Sequence, residues 1–120
     1  MKKILVADDR PEVVELVRVT LEGEDYQIVD ASDGQEILKR VRLEKPDLIL
    51  LDVVMPKMDG FEVCRRLKKD PDIKEIPIIL LTAQAQEEDK EKGRKVGARD
   101  YITKPFSPSA LLIKIKEVLA

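Results

Sequence analysis

Short apolar runs recur along this chain, each separated from the next by a longer amphipathic stretch. Residues 4–7, 48–51 and 78–81 are apolar throughout, as strands buried on both faces must be. Residues 26–31 read as a further strand and 101–103 as a short fifth. The intervening segments have helical spacing. In 11–22, Val13, Val14, Leu16, Val17 and Leu21 are expected on a core face, with Pro11 in the first turn. In 34–43 the core face carries Ile37, Leu38 and Val41, and in 60–68 it carries Phe61, Cys64 and Leu67. Ser107 caps a last helix opened by Pro108, with Leu111, Leu112, Ile115, Val118 and Leu119 inward. Five strands alternating with five helices predict an α/β fold, a doubly wound parallel sheet covered on both sides.

In such sheets ligands bind beyond the carboxyl ends of the strands, where strand order reverses. The first strand delivers Asp8 and Asp9 to that edge, the third Asp52, the fourth Thr82 and the fifth Lys104. At about 4 Å and an effective dielectric near 20, each pair of like charges costs on the order of 4 kcal/mol. A cluster of this kind takes up protons or binds a cation. An open all-oxygen site suits Mg²⁺ better than Ca²⁺. Metal, lysine and hydroxyl together are parts that hold a transferring phosphoryl group, and aspartate is a covalent acceptor for one. The competing reading is a structural ion-pair network, with Lys104 simply neutralising the acids.

Composition narrows the chemistry further. The chain contains no histidine, which excludes imidazole zinc sites and His-activated nucleophiles. Its 22 basic and 24 acidic residues give a net charge of −2. They form no basic stripe, so direct nucleic acid binding is not expected. Cys64, the single cysteine, reads as a small buried hydrophobe. No apolar run approaches the roughly 20 residues of a membrane helix. Asp8 and Asp9 come too early for a secretory signal, so a cytoplasmic location is expected.

Four separated segments, ILVADD (4–9), PDLILLDVVMPKMDG (46–60), PIILLTA (77–83) and GARDYITKPF (97–106), occur in order and properly spaced. With them the chain strongly resembles the receiver domain of two-component response regulators, CheY-like, from residue 3 to 119. The resemblance implies a flavodoxin-like sheet of order 2-1-3-4-5 and a single receiver domain over residues 1–120. It implies Asp52 as phosphoacceptor, Asp9 as direct Mg²⁺ ligand beside Asp52, Asp8 placing water or charge, and the Val54 backbone carbonyl as a further ligand. Thr82 is implied to bond a phosphoryl oxygen and Lys104 to pair with another, across a cis Lys104–Pro105 bond. Tyr101 matches the aromatic switch position. The implied partners are a sensor histidine kinase or histidine phosphotransfer protein, and a downstream protein on the α4-β5-α5 face. The domain would be a monomer or a weak phosphorylation-dependent dimer, with no membrane association. It would catalyse only its own phosphorylation and autodephosphorylation at Asp52. Arg10 departs from the small or acidic residues common at its position, while Val54 and Gln84 stand where acyl-phosphate lifetime is tuned.

Blander readings stand beside these roles. Tyr101 could be plain core, Thr82 an ordinary strand end, and Met55-Pro56, Met58 and Asp59-Gly60 turn chemistry only. A flavin-binding electron carrier shares the architecture, but its first loop should offer neutral donors to a phosphate, not Asp8-Asp9-Arg10-Pro11. A phosphohydrolase with an aspartyl-phosphate intermediate commonly has an acid two residues after its nucleophile, where this chain has Val54. Residues 86–95 predict a helix polar all round, with acids first and bases last, and with Glu88–Lys92 and Glu91–Lys95 pairs. Gly93 works against it, and the segment is expected to be weakly anchored.

Overall fold

The computed structural model describes residues 1–55, 58–83 and 87–120. Pro56, Gln84 and Gln86 lie outside the described residues, as does the side chain of Glu88. The elements alternate as β1 (Lys2–Ala7), α1 (Pro11–Leu21), β2 (Tyr26–Ala31), α2 (Gly34–Glu44), β3 (Leu48–Asp52), α3 (Gly60–Lys69), β4 (Ile78–Thr82), α4 (Glu87–Lys95), β5 (Asp100–Thr103) and α5 (Pro108–Leu119). All strand pairs are parallel, in the order β2-β1-β3-β4-β5. This is the doubly wound α/β sheet expected from the sequence.

The alternation of side chains along each strand sorts the core into two layers. Leu5, Ile49, Leu51, Ile78 and Leu80 point to one face, where Ile37, Val41, Phe61, Val63, Cys64 and Leu67 meet them. Ile4, Val6, Leu48, Leu50, Ile79 and Leu81 point to the other, against Val14, Val17, Leu21, Leu111 and Ile115. Every residue of β3 and β4 is buried, which is why those segments contain nothing polar before their final residues.

Helix starts follow local chemistry. The carboxylates of Asp33 and Asp59 accept from the backbone N–H groups of Glu36 and Glu62, each at 2.9 Å, and Ser107 accepts from that of Ala110 at 3.1 Å. Arg10 precedes α1 without a side-chain cap, and Pro11 supplies the first turn.

One core expectation fails. Leu16 is exposed rather than inward. At 3.6 residues per turn, Val13, Val17, Leu21 and Val14 span about 100° of arc, and Leu16 falls about 110° from its middle. Several strands are also longer than their apolar runs. β1 begins at Lys2 because Lys2 and Lys3 continue the ladder with Tyr26 and Gln27. β3 and β4 take in Asp52 and Thr82, whose register partners are Leu81 and Thr103. In α4, Glu91 pairs with Arg94 at 3.4 Å and not with Lys95. Among the described residues, no helix is long and apolar enough to cross a membrane.

Candidate functional site

Parallel register brings the strand ends level. Ala7 lies beside Leu51, so Asp8, the residue after β1, stands next to Asp52 at the end of β3. Thr82 closes β4 beside Thr103, and Lys104 follows. The side chains converge accordingly. Carboxylate oxygens of Asp8, Asp9 and Asp52 lie within 4.8 Å of one another. The Lys104 ammonium donates to Asp8 Oδ2 and to Asp52 Oδ1, each at 3.0 Å. The Lys104–Pro105 peptide bond is cis, as the family resemblance implies.

Burial divides the acids. Asp8 and Asp52 are 2% and 4% exposed, whereas Asp9 faces solvent. Asp8 is held by the Arg10 backbone N–H, which donates to Oδ1 at 3.0 Å, and its own N–H donates to Ala31 O at 3.1 Å. Burial pushes the Asp52 carboxyl above its ordinary range, and the charge of Asp8 adds to that; the hydrogen bond from Lys104 and the Val54 N–H pull the other way. A cation shared between two buried carboxylates compensates part of their repulsion. The exposed Asp9 leaves the cluster open on one side to water and to an incoming ion. Three carboxylates around an open position form an oxygen donor set of the kind a hard divalent cation takes.

The remaining candidates lie around this centre. Thr82 is buried at the end of β4. The Val54 side chain is 76% exposed at the mouth, one position beyond the peptide whose carbonyl accepts from Gly60. Tyr101 sits on β5, half-buried, packed on the core layer beneath α2 and α3, with the Lys90 ammonium 5.0 Å from its ring centre. A cavity of about 240 Å³ between α4 and β5 is bounded by Leu80, Lys90, Gly93, Ala98 and Tyr101.

Sequence reasoning did not find the part played by Gly60. A β-carbon there would stand 2.2 Å from the Asp52 carbonyl oxygen and 2.8 Å from Val53 Cα. The start of α3 therefore rests directly on the backbone of the phosphoacceptor candidate. A glycine eight residues after an acid at a strand end was the available signal, and it reads equally well as turn chemistry.

The response regulator receiver domain family matches residues 4–116. The chain belongs to that family. Among relatives of this receiver domain, the alkaline phosphatase synthesis transcriptional regulatory protein PhoP of Bacillus subtilis is 48% identical over 98% of the chain, which covers 48% of PhoP. Protein PilH of Pseudomonas aeruginosa is 42% identical over 100% of the chain and 99% of PilH. The receiver domain thus spans about half the length of PhoP and nearly all of PilH. Chemotaxis protein CheY4 of Vibrio cholerae superimposes with a TM-score of 0.94 at 36% identity, covering 99% of both chains. The doubly wound sheet with order 2-1-3-4-5 is the CheY-like fold, and the general role is in two-component signalling.

Proposed function

We propose that this chain is a single receiver domain over residues 1–120 that accepts a phosphoryl group on Asp52 and passes the change to a partner protein. The observation that carries the reading is the Lys104 ammonium held 3.0 Å from both Asp8 and Asp52, with the open Asp9 carboxylate completing the cluster. Asp8, Asp9, Asp52 and the Val54 carbonyl would hold Mg²⁺, which when bound supplies positive charge against the phosphoryl oxygens. The donor is phosphohistidine on a sensor histidine kinase or phosphotransfer protein. An Asp52 carboxylate oxygen attacks phosphorus in line. A P–O bond forms, the P–N bond breaks, and its electron pair returns to the imidazole nitrogen. Lys104 moves its hydrogen bond from Asp52 to a phosphoryl oxygen, and the Thr82 hydroxyl donates to another. Water attack on the acyl phosphate resets the site.

Tyr101 follows Thr82 by turning into the cavity between α4 and β5, which alters the α4-β5-α5 surface read downstream. The domain works in the cytoplasm, as a monomer or a weak phosphorylation-dependent dimer, without binding nucleic acid itself. It turns over no separate substrate.

Acetyl phosphate with Mg²⁺ tests the acceptor. Intact-mass spectrometry should show one added phosphoryl group, lost with chelator and lost in Asp52→Ala. Equal labelling of that variant would remove Asp52 from the role.

A further inference from the structure

α3 touches α4 and its exit turn along one stripe. Phe61, Cys64 and Lys68 are spaced by three and four residues, so they share a face of α3. The Phe61 ring, itself 7% exposed, lies 4.7 Å below the Lys92 ammonium. One turn on, the Cys64 thiol donates to Val96 O at 3.4 Å. One further turn on, the Lys68 stem covers Gly97, where an added β-carbon would stand 2.8 Å from Lys68 Cγ. The Lys68 ammonium is fixed in turn by Lys74 O at 2.9 Å and Ile76 O at 2.8 Å. The later half of α4 is therefore held from the side by α3, while the Lys90–Tyr101 contact holds a different part of it from β5.

The other end of α3 meets the site. The Gly60 N–H donates to Val53 O at 2.8 Å, and no atom fits between Gly60 Cα and the Asp52 carbonyl. Backbone in van der Waals contact on both sides cannot absorb a displacement by rotating a side chain. A movement of residues 52–54 must push the first turn of α3, and Phe61 is the next residue.

The geometry points to α3 as a second carrier of the signal. On the reading that Asp52 accepts the phosphoryl group, its displacement reaches residues 92–97 through Gly60, Phe61 and Lys92, in parallel with the route through Thr82 and Tyr101. Phe61 and Lys92 are positioning residues in this scheme and touch no phosphate. Lys92 is exposed, so its ammonium can be removed without opening the core.

Beryllofluoride with Mg²⁺, a stable stand-in for the phosphoryl group, tests this by amide NMR and fluorine NMR on three proteins. These are the unmodified chain, Tyr101→Ala, and Tyr101→Ala combined with Lys92→Gln. The glutamine keeps the stem and removes the charge. In Tyr101→Ala, the amides of 92–97 should still shift when beryllofluoride binds. In the double variant those shifts should be lost while the bound fluorine signal remains. Amides 92–97 that stay still in Tyr101→Ala would overturn the proposal, because one route would then carry everything. So would shifts of equal size with and without the Lys92 charge. Absence of a bound fluorine signal in the unmodified chain would instead overturn the acceptor reading, and this proposal with it.

Discussion

Replacing Gly60 with alanine adds one methyl group at the point where α3 meets the phosphoacceptor candidate. Its β-carbon would stand 2.2 Å from the Asp52 carbonyl oxygen, where real contacts essentially never fall under 3.0 Å. The two backbones must part by about 0.8 Å, the difference between those distances. Overpacking of this kind costs about 1–3 kcal/mol, against a helix-propensity gain of at most about 1 kcal/mol for alanine over glycine. For a chain of this length, each kcal/mol lowers the melting temperature by roughly 4 °C, so a fall of several degrees is expected. The shift is centred on Asp52 itself, and a displacement near 1 Å can slow a positioned reaction about 10²-fold. Gly93→Ala is the internal control. Its added β-carbon meets Leu80 Cδ1 at 3.0 Å, the tip of a side chain that can rotate away. Thermal unfolding and the rate of phosphoryl uptake from acetyl phosphate should therefore both suffer in Gly60→Ala and much less in Gly93→Ala. An unchanged melting temperature with normal uptake in Gly60→Ala would refute the close approach.

The Asp52 carboxyl is held above its ordinary 3.8 chiefly by burial, so folding favours its neutral form. Asp52→Asn should accordingly stabilise the metal-free protein at neutral pH. The gain should shrink as pH falls through the raised value and vanish below about 3.8. Denaturant unfolding in chelator at several pH values checks this, and a gain that grows with acid would reverse the sign. Burial likewise pushes the Cys64 thiol up to about 11. Iodoacetamide should leave the native protein unlabelled at pH 8 and label it once in denaturant. Prompt native labelling would mean that the layer between α3 and α4 opens readily.

How much was legible in the sequence depended on whether a residue answers to its own strand or to a neighbour across space. β3 and β4 declared themselves because burial on both faces leaves no room for a polar residue until Asp52 and Thr82. The acids and Lys104 were legible for the same reason, since a charged residue directly after an apolar strand can only stand at the sheet's edge. Leu16 was misread because an apolar side chain on a helix does not disclose how wide the covering flank is. Asp59 read as turn chemistry, although its carboxylate caps α3. Lys92 read as the helix partner of Glu88, because nothing near it in sequence says that its ammonium lies over Phe61. The division between a buried Asp8 and an exposed Asp9 was equally hidden, since it depends on Arg10 and Ala31 closing around one of them.

The ammonium of Lys104 joins partners that lie 96 and 52 positions away along the chain. No contiguous fragment short of nearly the whole domain contains the cluster. A chain emerging from the ribosome has Asp8, Asp9 and Asp52 long before it has Lys104, and in that interval the three acids lack their cation and the β4 and β5 ends that bring Thr82 and Lys104 beside them. A partly made or locally unfolded copy therefore presents scattered carboxylates to a kinase, not a pocket. Competence to receive a signal is in this way an audit of the finished fold.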